Sequence, residues 1–202
     1  MPEAPARRKL EPLKVSCTTA DCQNDLHCFR ATQALRAASK QGRCRYCEAD
    51  LIDWPRVHRR NTGDVDFTFA SLRKEFIRHY FWHVTIDAKA ANHARRKGRV
   101  RLRTAVDRRI RVSIAAAEPF RDGRQTPWVG SGNAIYYAQH AVAACCRRCV
   151  EEWHAIPRGR ELSDAEVQYL ADLAMRYVEE RVPLTDAGEY VPPLRNMKKR
   201  SA

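Results

Sequence analysis

All eight cysteines of this chain fall in two short stretches about a hundred residues apart. The first holds Cys17, Cys22, Cys28, Cys44 and Cys47, with His27 among them. The second holds Cys145, Cys146 and Cys149, flanked by His140 and His154. Whatever those side chains do decides how the chain can fold. Clustered thiolates and imidazoles suit a bound ion, which takes such donors at about 2.0–2.3 Å. Disulfides are the competing use. The start, Met1–Leu13, is proline-rich and charged and has no apolar core of a secretory leader. Nowhere does an apolar run reach the roughly 18 residues of a membrane span. The expectation is a cytoplasmic protein without a membrane segment, whose thiols stay reduced.

Cys17-x4-Cys22 followed by Cys44-x2-Cys47 resembles a zinc ribbon, in which two knuckles each present two thiolates to one tetrahedral ion. His27 or Cys28 can replace a member of the first pair, and spacing does not choose between them. Four protein ligands leave no place for water, so this ion is expected to be structural. It would replace a core that some fifty residues struggle to build.

The second cluster cannot sit on one continuous helix. At about 100° per residue, Cys145 and Cys149 share a face, as do Cys146 and Cys149, but His140 and His154 point elsewhere. If all five touch one ion, the backbone bends near Cys145–Cys146. A mixed sulfur and nitrogen set again suits zinc, so two zinc ions are expected. Three ligands would leave a water for hydrolytic chemistry; four would close the site.

The rest reads as mainly α, with a helical domain built around the second cluster. Residues 1–14 read as a disordered basic arm, 15–62 as the zinc-ribbon-like module, 63–184 as the helical domain and 185–202 as a flexible tail ending in Lys198, Lys199 and Arg200. Phe69, Leu72, Phe76, Ile77 and Tyr80 have helical spacing within Thr68–Trp82. Asp87 caps a segment to Lys97, which Gly98 stops. Val100, Leu102, Val106, Ile110 and Ile114 then form an apolar stripe. Residues 119–133 read as a long loop, and Ser163–Glu166 as a capping box opening a helix to about Val182.

The chain carries 37 Lys and Arg against 24 Asp and Glu, a net charge of +13. An anionic partner follows, and nucleic acid, DNA or RNA, is the commonest. Arg95, Arg96, Arg99, Arg101, Arg103, Arg108, Arg147 and Arg160 are the expected phosphate contacts. Two other classes remain open. One is a metal-dependent enzyme of hydrolase or nuclease type, using the His140–Cys149–His154 cluster with Asp122 or Gln125 as base or positioning group. The other is a protein–protein adaptor.

Pro119, Asp122–Gly123, Gln125–Thr126–Pro127, Ala138–Gln139–His140–Ala141, Cys145–Cys146–Arg147, Cys149, Trp153–His154, Ile156–Pro157, Gly159–Arg160 and Leu162 form a long motif. Over roughly residues 70–182 this resembles an uncharacterised bacterial family, domain of unknown function family 4186, to which the N-terminal cysteine module is an addition. Val142 stands where that family tends to have Thr, and Ala155 where it tends to have Gly. The resemblance implies that Asp122, Gln125, His140, Cys145, Cys146, Arg147, Cys149, Trp153, His154 and Arg160 form one site. It implies no activity.

Overall fold

The computed structural model describes residues 15–192. The basic arm and the terminal Lys198–Arg200 run lie outside those residues. Eight α-helices appear in the described chain: α1 Gln33–Ala37, α2 Trp54–His58, α3 Val65–Leu72, α4 Phe76–His83, α5 Ala88–Ile110, α6 Ala134–Ala141, α7 Arg147–His154 and α8 Asp164–Arg181. The only extended pairing among the described residues is two isolated bridges, Asp21 with Leu26 and His27 with Glu75. The mainly α expectation holds. No helix there is long and apolar enough to cross a membrane.

Residues 68–82 carry one helical pattern but form two helices. The break falls at Arg73–Glu75, where the N-terminal module bonds to the chain. His27 N donates to Lys74 O at 2.8 Å and Phe76 N to His27 O at 2.8 Å. Backbone groups freed by the break thus find partners in the module, as buried amides must. Phe29, Trp54 and Trp153 pack edge-to-face or tilted against one another, with ring centroids 5.1–5.8 Å apart, and seat the module on α7. Phe29, Cys44, Ile52 and Val57 belong to the same core cluster as the helical residues. The module and the helices therefore share one core across the Asn61–Asp64 turn.

Helices α5 and α8 pack along each other, and α6 lies against both α4 and α8. The buried stripe of α5 repeats every four residues: Ala90, Ala94, Gly98, Leu102, Val106, Ile110 and, just past its end, Ile114. A straight helix would rotate such a stripe by about 40° per repeat. Two irregularities interrupt that drift, a break at Gly98 (φ 66°) and a wider π turn over Arg111–Ala115. Val100, expected in the stripe, is instead 64% exposed, because two positions from Leu102 is about 200° around the helix from the buried face.

Gly98 meets Gly188 so closely that a Cβ on Gly98 would lie 2.1 Å from Gly188 N. The amides of Arg99 and Val100 donate to Thr185 O and Asp186 O. Arg95 pairs with Glu189, whose own N–H bonds Arg95 O. So residues 185–191, expected to be loose, are laid against α5. The capping box at Ser163 and Glu166 forms as expected and opens α8.

Candidate metal centres

Cys22, His27, Cys44 and Cys47 offer four ligand atoms within 4.8 Å of one another. Cys22 Sγ and Cys44 Sγ are 3.7 Å apart, and Cys47 Sγ is 3.4 Å from His27 Nδ1. A tetrahedral ion with metal–sulfur bonds near 2.3 Å puts its sulfurs about 3.8 Å apart, so the spacing fits. The other face of the imidazole is also prepared. His27 Nε2 lies 3.0 Å from Asp25 Oδ1, the carboxylate partner that fixes the tautomer and aims Nδ1 at an ion. Asp25 can stand there because it occupies the left-handed region at φ 57°, where Asp is tolerated.

Charge in this cluster settles on Cys44. Burial works against its thiolate, but the backbone N–H groups of Cys28, Cys47 and Tyr46 and the His27 ring hold it at about 6. Cys22 moves the other way, to about 12, through burial and the sulfurs of Cys44 and Cys47 beside it. Cys17, expected to pair with Cys22, is not in the group; His27 takes the fourth place. The Cys17 backbone turns away, its carbonyl accepting from Cys28 Sγ at 3.6 Å. Burial raises the Cys17 thiol, and the charges that act on it most are Cys149 and Arg78, both in the helical body.

Cys145, Cys146 and Cys149 form the second group, all buried. The backbone bends where the spacing required. Helix α6 ends at Ala141, Cys146 takes an extended conformation as the N-cap of α7, and Cys149 N donates to Cys146 Sγ at 3.4 Å. The partner that sequence reasoning missed is Arg78. Its Nη2 donates to Cys149 Sγ at 3.1 Å, its Nη1 lies 3.8 Å from Cys145 Sγ, and its Nε donates to Glu75 at 2.9 Å. Glu75 in turn accepts from Trp153 Nε1 at 2.8 Å. The signal was a charged pair, Glu75 and Arg78, at i and i+3 on a face shared with Phe81 and Trp82.

Within this group Cys149 is held well below the usual thiol range, by hydrogen bonds from Cys145 and Cys146 and by Arg78, against the cost of burial. Arg78 stays charged although buried, because Cys149, Glu75, Cys145 and Cys17 surround it.

The histidines separate. His154 has both ring nitrogens engaged, Nε2 with Val142 O at 2.9 Å and Nδ1 with Tyr169 Oη at 3.1 Å. That corrects its place among the expected ligands: it is a satisfied core residue, which burial moves down to about 4. His140 packs with Phe81 and Trp128 in a cluster of three rings, with centroids 4.5 and 5.1 Å from its own. Its Nε2 is 3.3 and 3.2 Å from Thr126 O and Pro127 O, and its buried Nδ1 has no partner. It stands outside the sulfur group.

The loop residues are also employed. Asp122 Oδ1 accepts from Arg147 N at 3.0 Å, meeting a free amide at the start of α7. Gln125 donates to Ser113 O and to Asp122, each at 3.2 Å. Arg147 is 1% exposed and donates to the carbonyls of Ile114, Pro157 and Arg160, so it offers nothing to a phosphate. Of the other expected contacts, Arg95, Arg99, Arg103 and Arg160 pair with Glu189, Glu179 and Asp186, Asp172, and Glu166. Arg96, Arg101 and Arg108 are exposed and have no acidic partner among the described residues, though Arg96 donates to Val191 O and Arg101 to the carbonyls of Lys97, Arg96 and Ala187.

The family model described as a domain of unknown function, DUF4186, matches residues 66–179. The chain belongs to this family. The DUF4186 region contains Arg78 and the whole second cluster, while the first cluster lies before it in the chain. Within it, Ala155 adopts φ 50° as the C-cap of α7, a left-handed position that suits the Gly expected there. No solved structure matches the chain.

Proposed function

We propose that this DUF4186 protein is a zinc protein whose ions are structural, and that the surface they stabilise binds nucleic acid. The observation that supports zinc best is the first cluster: three sulfurs and an imidazole nitrogen at tetrahedral spacing, with Asp25 behind the imidazole. Thiolate with imidazole is a donor set that favours zinc over magnesium or calcium. Four protein donors close the sphere, so the ion would supply folding energy rather than a reactive water. At the second cluster Cys145, Cys146 and Cys149 would hold an ion, and the buried Arg78 guanidinium would offset the excess thiolate charge.

Nucleic-acid binding rests on the net charge of +13 and on cations that acidic neighbours do not neutralise. Arg96, Arg101 and Arg108 lie along α5, and Arg121 and Arg124 are exposed on the loop that follows it. Arginine forks suit phosphate oxygens. With about three to five phosphates engaged, affinity would fall by roughly two orders of magnitude between about 50 and 200 mM salt. Gel shifts with duplex and single-stranded probes across that range test this. Arg108→Glu with Arg121→Glu is expected to abolish the shift. Binding that ignores salt, or survives the double substitution, rules the surface out.

A further inference from the structure

We propose that Phe120 stacks on an unpaired base, so that the basic surface at the end of α5 takes single-stranded nucleic acid in preference to duplex. The inference rests on the nucleic-acid reading above.

Phe120 is 87% exposed. A lone apolar side chain on a surface is ordinary and needs no partner. What sets this one apart is how it is held. The chain turns twice around it, through bonds from Asp122 N to Pro119 O at 3.2 Å and from Arg124 N to Arg121 O at 2.8 Å. Arg121 takes a left-handed conformation at φ 57° within that turn. The turn is then tied inward. Asp122 accepts from Arg147 N, and Gln125 donates to Ser113 O. The backbone is anchored while the ring is left in solvent.

Cations gather at the same place. Arg109 Nη2 donates to Gln125 O at 2.6 Å, which joins the end of α5 to this loop. Arg108 and Arg124 are the chain neighbours of that bonded pair, and Arg121 adjoins Phe120. All three are exposed, and none has an acidic partner among the described residues. The acids nearby are mostly spent. Asp107 and Asp164 pair with Arg111, and Asp122 meets the amide of Arg147. Glu118 is the acid left over, so free cations outnumber free carboxylates here.

An exposed aromatic face among arginines suits a single strand. The cations meet phosphates, and the ring meets the face of a base whatever its identity. In a duplex each base is already stacked on its neighbours, and a side chain reaches its face only after unstacking it.

Fluorescence anisotropy on the full chain tests this, with one labelled sequence offered as a single strand and as a duplex. The wild type is expected to bind the single strand more tightly. Phe120→Ala is expected to weaken that binding about tenfold while leaving the duplex within about twofold. Its fold has little to lose, since the ring is exposed. Phe120→Trp is expected to restore single-strand binding, with its added indole emission quenched by the base. Equal losses on both probes, no loss on either, or a wild type that prefers the duplex would overturn the stacking role and leave the basic surface standing. A wild type that binds neither probe refutes the nucleic-acid reading itself, and stacking with it.

Discussion

Around Cys44, sulfur charge is met by backbone N–H groups of its own loop and of Cys28, within the same module, and one of the four donors, Cys47, is exposed. Around Cys149 it is met by a guanidinium carried in on another helix, and every sulfur of the trio is buried. The first arrangement is local: its donors span residues 22–47, and its supporting carboxylate lies two positions before His27. The second is global, because Arg78 and the cysteines are some seventy positions apart in sequence. The difference shows how a metal-type cluster can be either a self-contained staple or part of a protein's core. Backbone donors need only a correct turn, whereas a buried cation needs the whole fold to hold it in place.

The comparison breaks first at Arg78. Arg78→Ala would take the buried cation away from Glu75 and Cys149, at a cost of about 3–5 kcal/mol. Arg45→Ala, beside the first cluster, half-buried and without an acidic partner among the described residues, is expected to cost no more than about 1 kcal/mol. Urea unfolding of both proteins measures this. Equal losses would mean that the two clusters are not supported differently.

Chelation sharpens the contrast in time. With an excess of strong chelator, the ion beside exposed Cys47 is expected to leave at least about tenfold faster than the one among Cys145, Cys146 and Cys149, which waits for opening of the core. A chromophoric indicator would record two phases. One phase carrying both ions contradicts the division between an accessible and an enclosed centre.

Asp25→Asn carries the smallest effect. It removes the carboxylate behind His27 and is expected to weaken only the first centre, by about 10–100-fold in zinc affinity. Competition titration against an indicator of known affinity separates the sites. Weakening of the second centre by the same substitution would show that the two are coupled through more than the shared core.

Much of this arrangement was legible in the cysteines themselves. Cys44-x2-Cys47 announced a knuckle, and the bend at Cys146 followed from helix geometry. What spacing could not reveal was partnership across the chain. Cys17 looked like the mate of Cys22 because the two are close in sequence, yet His27 takes that place beside Cys22, Cys44 and Cys47. His27 gained its role from Asp25, through a left-handed turn that no periodicity encodes. His154 has the residue type of a ligand, but Tyr169 and a carbonyl, both distant in sequence, satisfy it. The arginine count overstated the free basic surface for a similar reason. Arg95, Arg99, Arg103 and Arg160 meet acids that folding delivers, and Arg147 is drawn inside.

The break at Gly98 bears on where this protein can be cut. The matched family region ends at residue 179, yet the carbonyls that receive the amides of Arg99 and Val100 belong to Thr185 and Asp186. A chain trimmed to the family boundary would leave two N–H groups on α5 without protein acceptors and uncover the backbone at Gly98. The smallest autonomous piece of this fold therefore extends past its family boundary, to at least Val191.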